Sequence, residues 1–508
     1  VPATAARIGD RRRRAPLIWR GMRRYGPALL CIIGVPLALL VVYGAPYLNY
    51  DASYSLVWAH DIAKGWTPDY EGFIAPTPHP LQTFVSFIAL PLGGLTEEAL
   101  AWVVMFAFGG LVYVIYLLGR ELFNPAVGIV AAAVIASRPA FDKNALAAYQ
   151  DIPFVLLVLW ALLVEIRTPR RGWPVLALLT LAGLLRPEAW ILAGLYYLYL
   201  FPRLSWGERA ALAGLAAAGP VLWSVSDWAI TGDPLHSFHG TKDLAAQLDR
   251  PRDPAEAPLW TARFLGFTLR EPLMVGVPVG CVFALMYARR DDIGRGALIV
   301  LGLAGLMTLI FIASTLGGLP LIARYVLTPT ALLAIIYGLA CFGWLSLDEG
   351  TRERQVWQGV GLATLALSVV FLPWHITLVD DMRQKISNYG TIQKDLETVA
   401  DAPVFRRAYA ECGRVSTTDH RPVPAMRFYV GGPPGSVQSS AAPGYPWAQI
   451  AIYPRTLDVA RKFYNRIPDM TPPPRMRYQR VLTTDHWVLY VTPECAAKAA
   501  ATQAATAR

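Results

Sequence analysis

Charge is scarce in this chain. Only 16% of its 508 residues are Asp, Glu, Lys or Arg, against 55% hydrophobic residues, a balance that marks an integral membrane protein. Cysteine is scarcer still. Five residues exclude a disulfide scaffold. Cys31, Cys281 and Cys341 fall inside hydrophobic runs and read as small core residues. Cys412 and Cys495 both lie in the polar C-terminal region, where they are placed to pair if that region is extracytoplasmic. No G-x-x-x-x-G-K-[ST] string occurs, so no phosphate-cradling nucleotide loop is expected. Nor does an A-x-A-like site follow the first hydrophobic run, which is too long for the core of a cleavable signal. With Arg11 to Arg14, Arg20, Arg23 and Arg24 ahead of it, that run reads as a start-transfer anchor with its N-terminus in the cytoplasm.

What the chain has in quantity is hydrophobic runs. A span needs about 20 apolar residues, fewer when flanking residues extend it. About eleven candidates fall at 27–48, 99–118, 126–141, 152–164, 173–185, 189–200, 210–230, 273–287, 297–314, 325–345 and 356–379. The net charge of +10 is explained by topology and not by a nucleic-acid partner, because the arginines collect in alternate short loops. With the N-terminus inside, the inside loops carry Arg120; Arg167, Arg170 and Arg171; Arg203 and Arg209; Arg289, Arg290 and Arg295; and Arg352 and Arg354. The outside then receives Asp51, the 141–151 loop, the 186–188 turn, the long 231–271 loop, the 315–324 loop and the tail. The organisation expected is a transmembrane domain over 1–379 and an extracytoplasmic soluble domain over 380–508. In the tail, 380–400 has helical spacing, and WAQIAIYP, RYQRVLTT and HWVLYVTP read as strands between Pro and Gly turns, a small α/β domain. Two TTDH strings, ending at His420 and His486, have no larger repeat around them.

The stretch from Tyr50 to Leu81 leaves the first span and at once presents a carboxylate, Asp51. Tyr54, Trp58 and Ile62 recur at helical spacing, with His60, Asp61 and Lys64 off that face, as in a helix lying aromatic side down at the lipid–water interface. Pro76, Pro78 and Pro80, around His79, turn the chain back towards lipid. Asp51 and Asp151 each stand at the outer end of a span, where an acid serves either as a helix cap or as a base or metal ligand; Ser53 is as good a cap as Asp51. Asp142 and Lys143 read as ordinary loop charges. Arg186 and Glu188 close a turn with almost no loop, on the side where topology asks for no arginine. A charged pair at membrane depth is expensive and points to function, beside the alternative of a local ion pair. Arg324 opens a late span with Tyr325, either snorkelling or offering a fork to phosphate. His236, His239 and Lys242 form a polar cluster whose HxxH spacing lacks a third metal ligand.

These residues resemble the GT-C-fold glycosyltransferases that use a polyprenyl-phosphate sugar donor, in the group of the protein O-mannosyltransferases and the lipid A aminoarabinose transferase. Asp51 in NYDASYSLVWAHDIAKG matches the acid after the first span. His79, Pro80 and Leu81 stand where that group has a Lys-Pro-Pro-Leu-like element, with His for Lys. Asp151 in QDIP opens the fourth span, and Arg324, Tyr325 and Pro329 open a late one. The likeness covers about the first 345 residues; many relatives have a second acid where this chain has Ala52.

The resemblance implies a mainly α, polytopic helix bundle with a small extracytoplasmic α/β domain, in the inner or plasma membrane. It implies a glycosyltransferase that moves a sugar, with inversion, from a polyprenyl phosphate to an extracytoplasmic glycan, lipid or protein. Asp51 and Asp151 would be the catalytic acids, or the ligands of a divalent Mg or Mn ion if there is one. Arg324, Arg186, His79 and Lys242 would meet the donor phosphate; Glu188, Tyr325 and His239 would meet substrate. The rival reading is a transporter or flippase for a lipid-linked sugar, which often shows inverted repeats; none is evident.

Overall fold

The computed structural model describes residues 26–444, 448–464, 466–473 and 476–506; the arginine-rich stretch at 11–24 lies outside them. All the hydrophobic runs are helical, but their breaks differ from the expectation. The run 126–141 is two helices, Pro125–Ile135 and Pro139–Leu146, bent by 61°. Pro139 has no N–H to continue the ladder and holds Arg138 extended, at ψ 116°. The last run bends by 44° between Arg352–Val370 and Leu372–Asp401. The region 231–271 is not a loop: it contains the helix His236–Gln247 and the first half of Ala257–Met286, which breaks at Arg270 and Glu271 before Pro272. Pro80–Ala89 is a further apolar helix. Among the described residues six helices are long and apolar enough to cross a membrane, or eight if each of two bent pairs is one span.

Small residues let these helices touch backbone to backbone. A Cβ on Gly119 would lie 2.6 Å from the Cα of Gly128, so Thr96–Leu122 and Pro125–Ile135 pack closer than side chains allow. The basic loops meet at one end of the bundle. Arg120 and Arg167 share Glu121 at 2.7 and 2.9 Å, Asn124 donates to the Phe342 carbonyl, and Arg290 faces Asp348 at 3.5 Å.

The helix Leu372–Asp401 joins two cores. Met382 and Ile386 belong to the membrane core, whereas Ile392, Leu396 and Val399 belong to the core of the tail. The tail folds as a five-stranded sheet in the order β2 (Val437–Ser439), β1 (Val415–Thr417), β3 (Ile450–Pro454), β5 (Trp487–Val491), β4 (Gln479–Thr483). β1 runs parallel to β2 and β3, and β5 antiparallel to β3 and β4. Strands β1 and β2 are too short to show alternation. Both TTDH strings begin on the last residue of a strand, Thr417 of β1 and Thr483 of β4. Trp487 is fully buried and donates to the Ile392 carbonyl at 2.8 Å, about 3 kcal/mol of apolar burial at its upper value. Cys412 and Cys495 form a disulfide that ties the end of Pro403–Cys412 to Pro493–Thr506.

Candidate active site

Four segments distant in sequence are stitched together at the end of the bundle away from the basic loops. Asn49 is the cap of the helix Tyr50–Ala63: its side chain accepts from the backbone N–H of Asp51 and Ala52 at 2.7 and 3.1 Å. The same side chain donates to the Ala147 carbonyl at 2.6 Å, and the N–H groups of Tyr47 and Asn49 donate to Leu146 and Ala147. This lays Asp51 beside the segment that leads to Asp151. Leu81 N–H donates to the Leu184 carbonyl, bringing His79 beside the turn that carries Arg186. Neither Asp51 nor Asp151 is a helix cap, so their carboxylates are left for other partners.

Those partners are the two arginines. Arg324 Nη2 donates to Asp51 Oδ2 at 2.8 Å, and its Nε lies 3.4 Å from Asp151 Oδ2. Arg186 donates from Nη1 to the other Asp151 oxygen and grips Glu188 with Nη2 and Nε. The order is Asp51–Arg324–Asp151–Arg186–Glu188, an alternating row of charge. Its middle is dry: the Asp151 and Arg186 side chains are 2% and 6% exposed. Its ends are wetter, with Asp51 at 14%, Arg324 at 20% and Glu188 at 18%. Tyr325 lies under Arg186, its ring centroid 3.7 Å from Cζ, and Tyr149 lies under Arg324 at 4.7 Å, so both guanidiniums rest on aromatic faces.

His79 is buried against this row and shares a 2.8 Å hydrogen bond with Gln150. Burial pushes its imidazole down to about 4; Arg186 and Arg324 act the same way and Asp51 opposes them. It is a neutral hydrogen-bonding group at neutral pH. His239 and Lys242 stand elsewhere. His239 is exposed and paired with Asp233 at 2.6 Å, on a 280 Å³ polar pocket between 70–78 and 236–247. Lys242 lines a separate open cleft with Arg250 and Arg252.

Asp51 and Asp151 as placed do not fit a divalent ion. The Arg324 guanidinium contacts both carboxylates, and no group of three His, Cys, Asp or Glu able to hold a metal occurs among the described residues.

Beside the row lies an apolar crevice of 170 Å³. Leu81, Val85, Leu100, Val103 and Leu156 line it, and Ala52 and Gln150 lie at the site end. The helix Tyr50–Ala63 is not laid aromatic side down in lipid: Tyr54 and Trp58 are buried against Tyr70. Its other side docks the C-terminal domain, where Asp61 and Arg427, 0% and 2% exposed, form a buried ion pair. Tyr429 adds a 3.0 Å bond to Glu97. Asp142, outwardly an ordinary loop charge, is buried and accepts from Tyr43 at 3.1 Å. Asn49 carries a signal in its own segment, as an Asn one residue before an amphipathic run, whereas nothing near Arg427 or Tyr429 signals the partner it meets.

No family model matches the sequence. No curated protein matches it. Solved structures do match in fold. ArnT, the lipid A aminoarabinose transferase, from Cupriavidus metallidurans bound to undecaprenyl phosphate, superposes with a TM-score of 0.55 at 13% identity, over 92% of this chain and 98% of that one. The apo state of the same protein gives 0.52 at 14% identity over the same shares. The chain is thus a multi-pass membrane protein with the GT-C fold, built along its length like the aminoarabinose transferase.

Proposed function

We propose that this protein is a membrane glycosyltransferase that moves a sugar from a polyprenyl-phosphate donor to a hydroxyl of an extracytoplasmic glycan, lipid or protein, with inversion at the anomeric carbon. The observation that carries the reading is the row of paired charges at the end of an apolar crevice. The crevice suits an acyclic hydrocarbon chain, and the row suits the chemistry of its headgroup. The acceptor oxygen attacks the anomeric carbon, and the bond from that carbon to the phosphate oxygen breaks. The polyprenyl phosphate leaves with the electron pair, and the acceptor proton passes to Asp51. Arg324 is the guanidinium best placed for the developing phosphate charge. It is the more exposed of the two, and its Nη1 makes no hydrogen bond among the described residues. Arg186, taken by Asp151 and Glu188, positions Asp151, which in turn fixes Arg324.

The site end of the bundle is the extracytoplasmic one in this reading, and the N-terminus is cytoplasmic. The mutual contacts of the basic loops at the opposite end support it, as does a disulfide in the domain docked at the site. The test is reconstitution of the purified protein in liposomes with a labelled polyprenyl-phosphate sugar and an envelope fraction. Label covalently joined to acceptor is the expected result. Label that crosses the bilayer still attached to its lipid would make the protein a flippase.

A further inference from the structure

The row at the active site does not by itself supply the positive charge its proposed ligand needs. Three carboxylates against two guanidiniums leave it one negative charge in excess. His79 adds no charge. A donor phosphate brought there meets one partly engaged arginine and a net repulsion, so the counter-charge has to come from outside the row.

The structure brings it from three other elements. Lys143 is on the helix Pro139–Leu146, which packs against the helix Leu372–Asp401 and whose Leu146 carbonyl accepts from Tyr47; it lies within electrostatic reach of Lys385, Arg421 and Arg324. Lys385 comes from the helix Leu372–Asp401, and Arg421 from the loop after β1. That loop follows the carboxyl end of β1, where the strand order turns from β2 on one side to β3 on the other, the end at which open α/β sheets present ligand-binding loops. It points at the membrane domain: the His420 ring meets Tyr50 edge-on at 5.2 Å. Arg421 is braced by the Phe463 carbonyl, Phe463 stacks on Tyr389 at 4.8 Å, and Tyr389 lies 4.9 Å from Tyr47, two residues before Asn49. Lys143 and Lys385 are exposed, and neither makes an ion pair among the described residues. One carboxylate stands in the same loop: Asp419 accepts from the Arg421 backbone N–H and is paired with His420; the three cations outnumber it, and their mutual repulsion is relieved when a further anion joins them.

We infer that Lys143, Lys385 and Arg421 form a phosphate-binding rim across the seam between the two domains, and that the C-terminal domain completes the donor site. This rests on the donor reading above. The rim binds the phosphate and holds it over Arg324, and the crevice takes the chain.

The experiment compares undecaprenyl phosphate with undecaprenol, the same chain without its phosphate, for binding to the purified full-length protein. The wild type is expected to prefer the phosphate. Lys385→Gln with Arg421→Gln, and separately Lys143→Gln, should reduce that preference at least tenfold while undecaprenol binds as before, which also reports that the fold is intact. An unchanged preference in both variants overturns the rim and leaves the donor reading standing. A wild type that binds neither lipid, or both equally, overturns the donor reading and the rim with it. Should the double variant fail to fold, Lys143→Gln alone decides by the same criterion.

Discussion

Arg324 is the residue on which the site turns, because it alone among the described residues pairs with both aspartates. Arg324→Ala leaves Asp51 without its ion partner and Asp151 with one fewer. Donor binding should weaken by about 2–5 kcal/mol, the range for a desolvated charge pair losing one member, read as the shift in Kd for undecaprenyl phosphate. Arg324→Lys should restore little, since an ammonium cannot present Nη2 to one carboxylate and Nε to another. His79 makes a different prediction. Its imidazole is held near 4 in the folded protein against 6.5 free, so its stabilising share is complete above pH 6.5 and is lost as pH falls from 6.5 towards 4. The depression corresponds to on the order of 3 kcal/mol at the acid end. Thermal unfolding of His79→Gln should therefore lose less stability than wild type over that interval. Equal losses would show that His79 does not resist protonation.

At the scale of elements, the docking of the C-terminal domain on the helix Tyr50–Ala63 is set by a buried ion pair. Truncating Arg427 alone leaves the Asp61 carboxyl buried without its partner, and should cost about 3–5 kcal/mol. Asp61→Leu with Arg427→Met should recover most of it, measured as unfolding midpoints of the single and double variants. This pair also shows where sequence reading runs out. The partners are 366 residues apart, and nothing near either one names the other. The acids and arginines of the active site were legible because each sits at the end of a hydrophobic run, where a charge is costly. Their pairing was not, because it depends on backbone stitches such as Asn49 to Ala147. Lys143 and Arg421 were hidden for the opposite reason: a charge in a polar loop is unremarked until the fold shows what faces it. The helices within 231–271 were missed because hydropathy alone cannot tell a polar helix from a loop.

For the whole molecule, the hydrophobic runs and the basic loops carried most of the architecture, and the bends came from prolines whose effect on the chain direction needs three dimensions. Topology is tested with single cysteines at exposed positions. A membrane-impermeant thiol reagent added to intact cells should label Ala246→Cys and Ala441→Cys and leave Thr168→Cys unlabelled. The reverse pattern would turn the molecule over and move the chemistry to the cytoplasm. The central claim is that Asp51 takes the acceptor proton, and Asp51→Asn tests it most directly. Asn49, not Asp51, caps the helix, so the substitution should leave the fold in place, while an amide cannot accept a proton near neutral pH. Sugar transfer by Asp51→Asn should fall by roughly 10²–10⁴-fold with undecaprenyl phosphate still bound. Transfer at near wild-type rate would contradict the account.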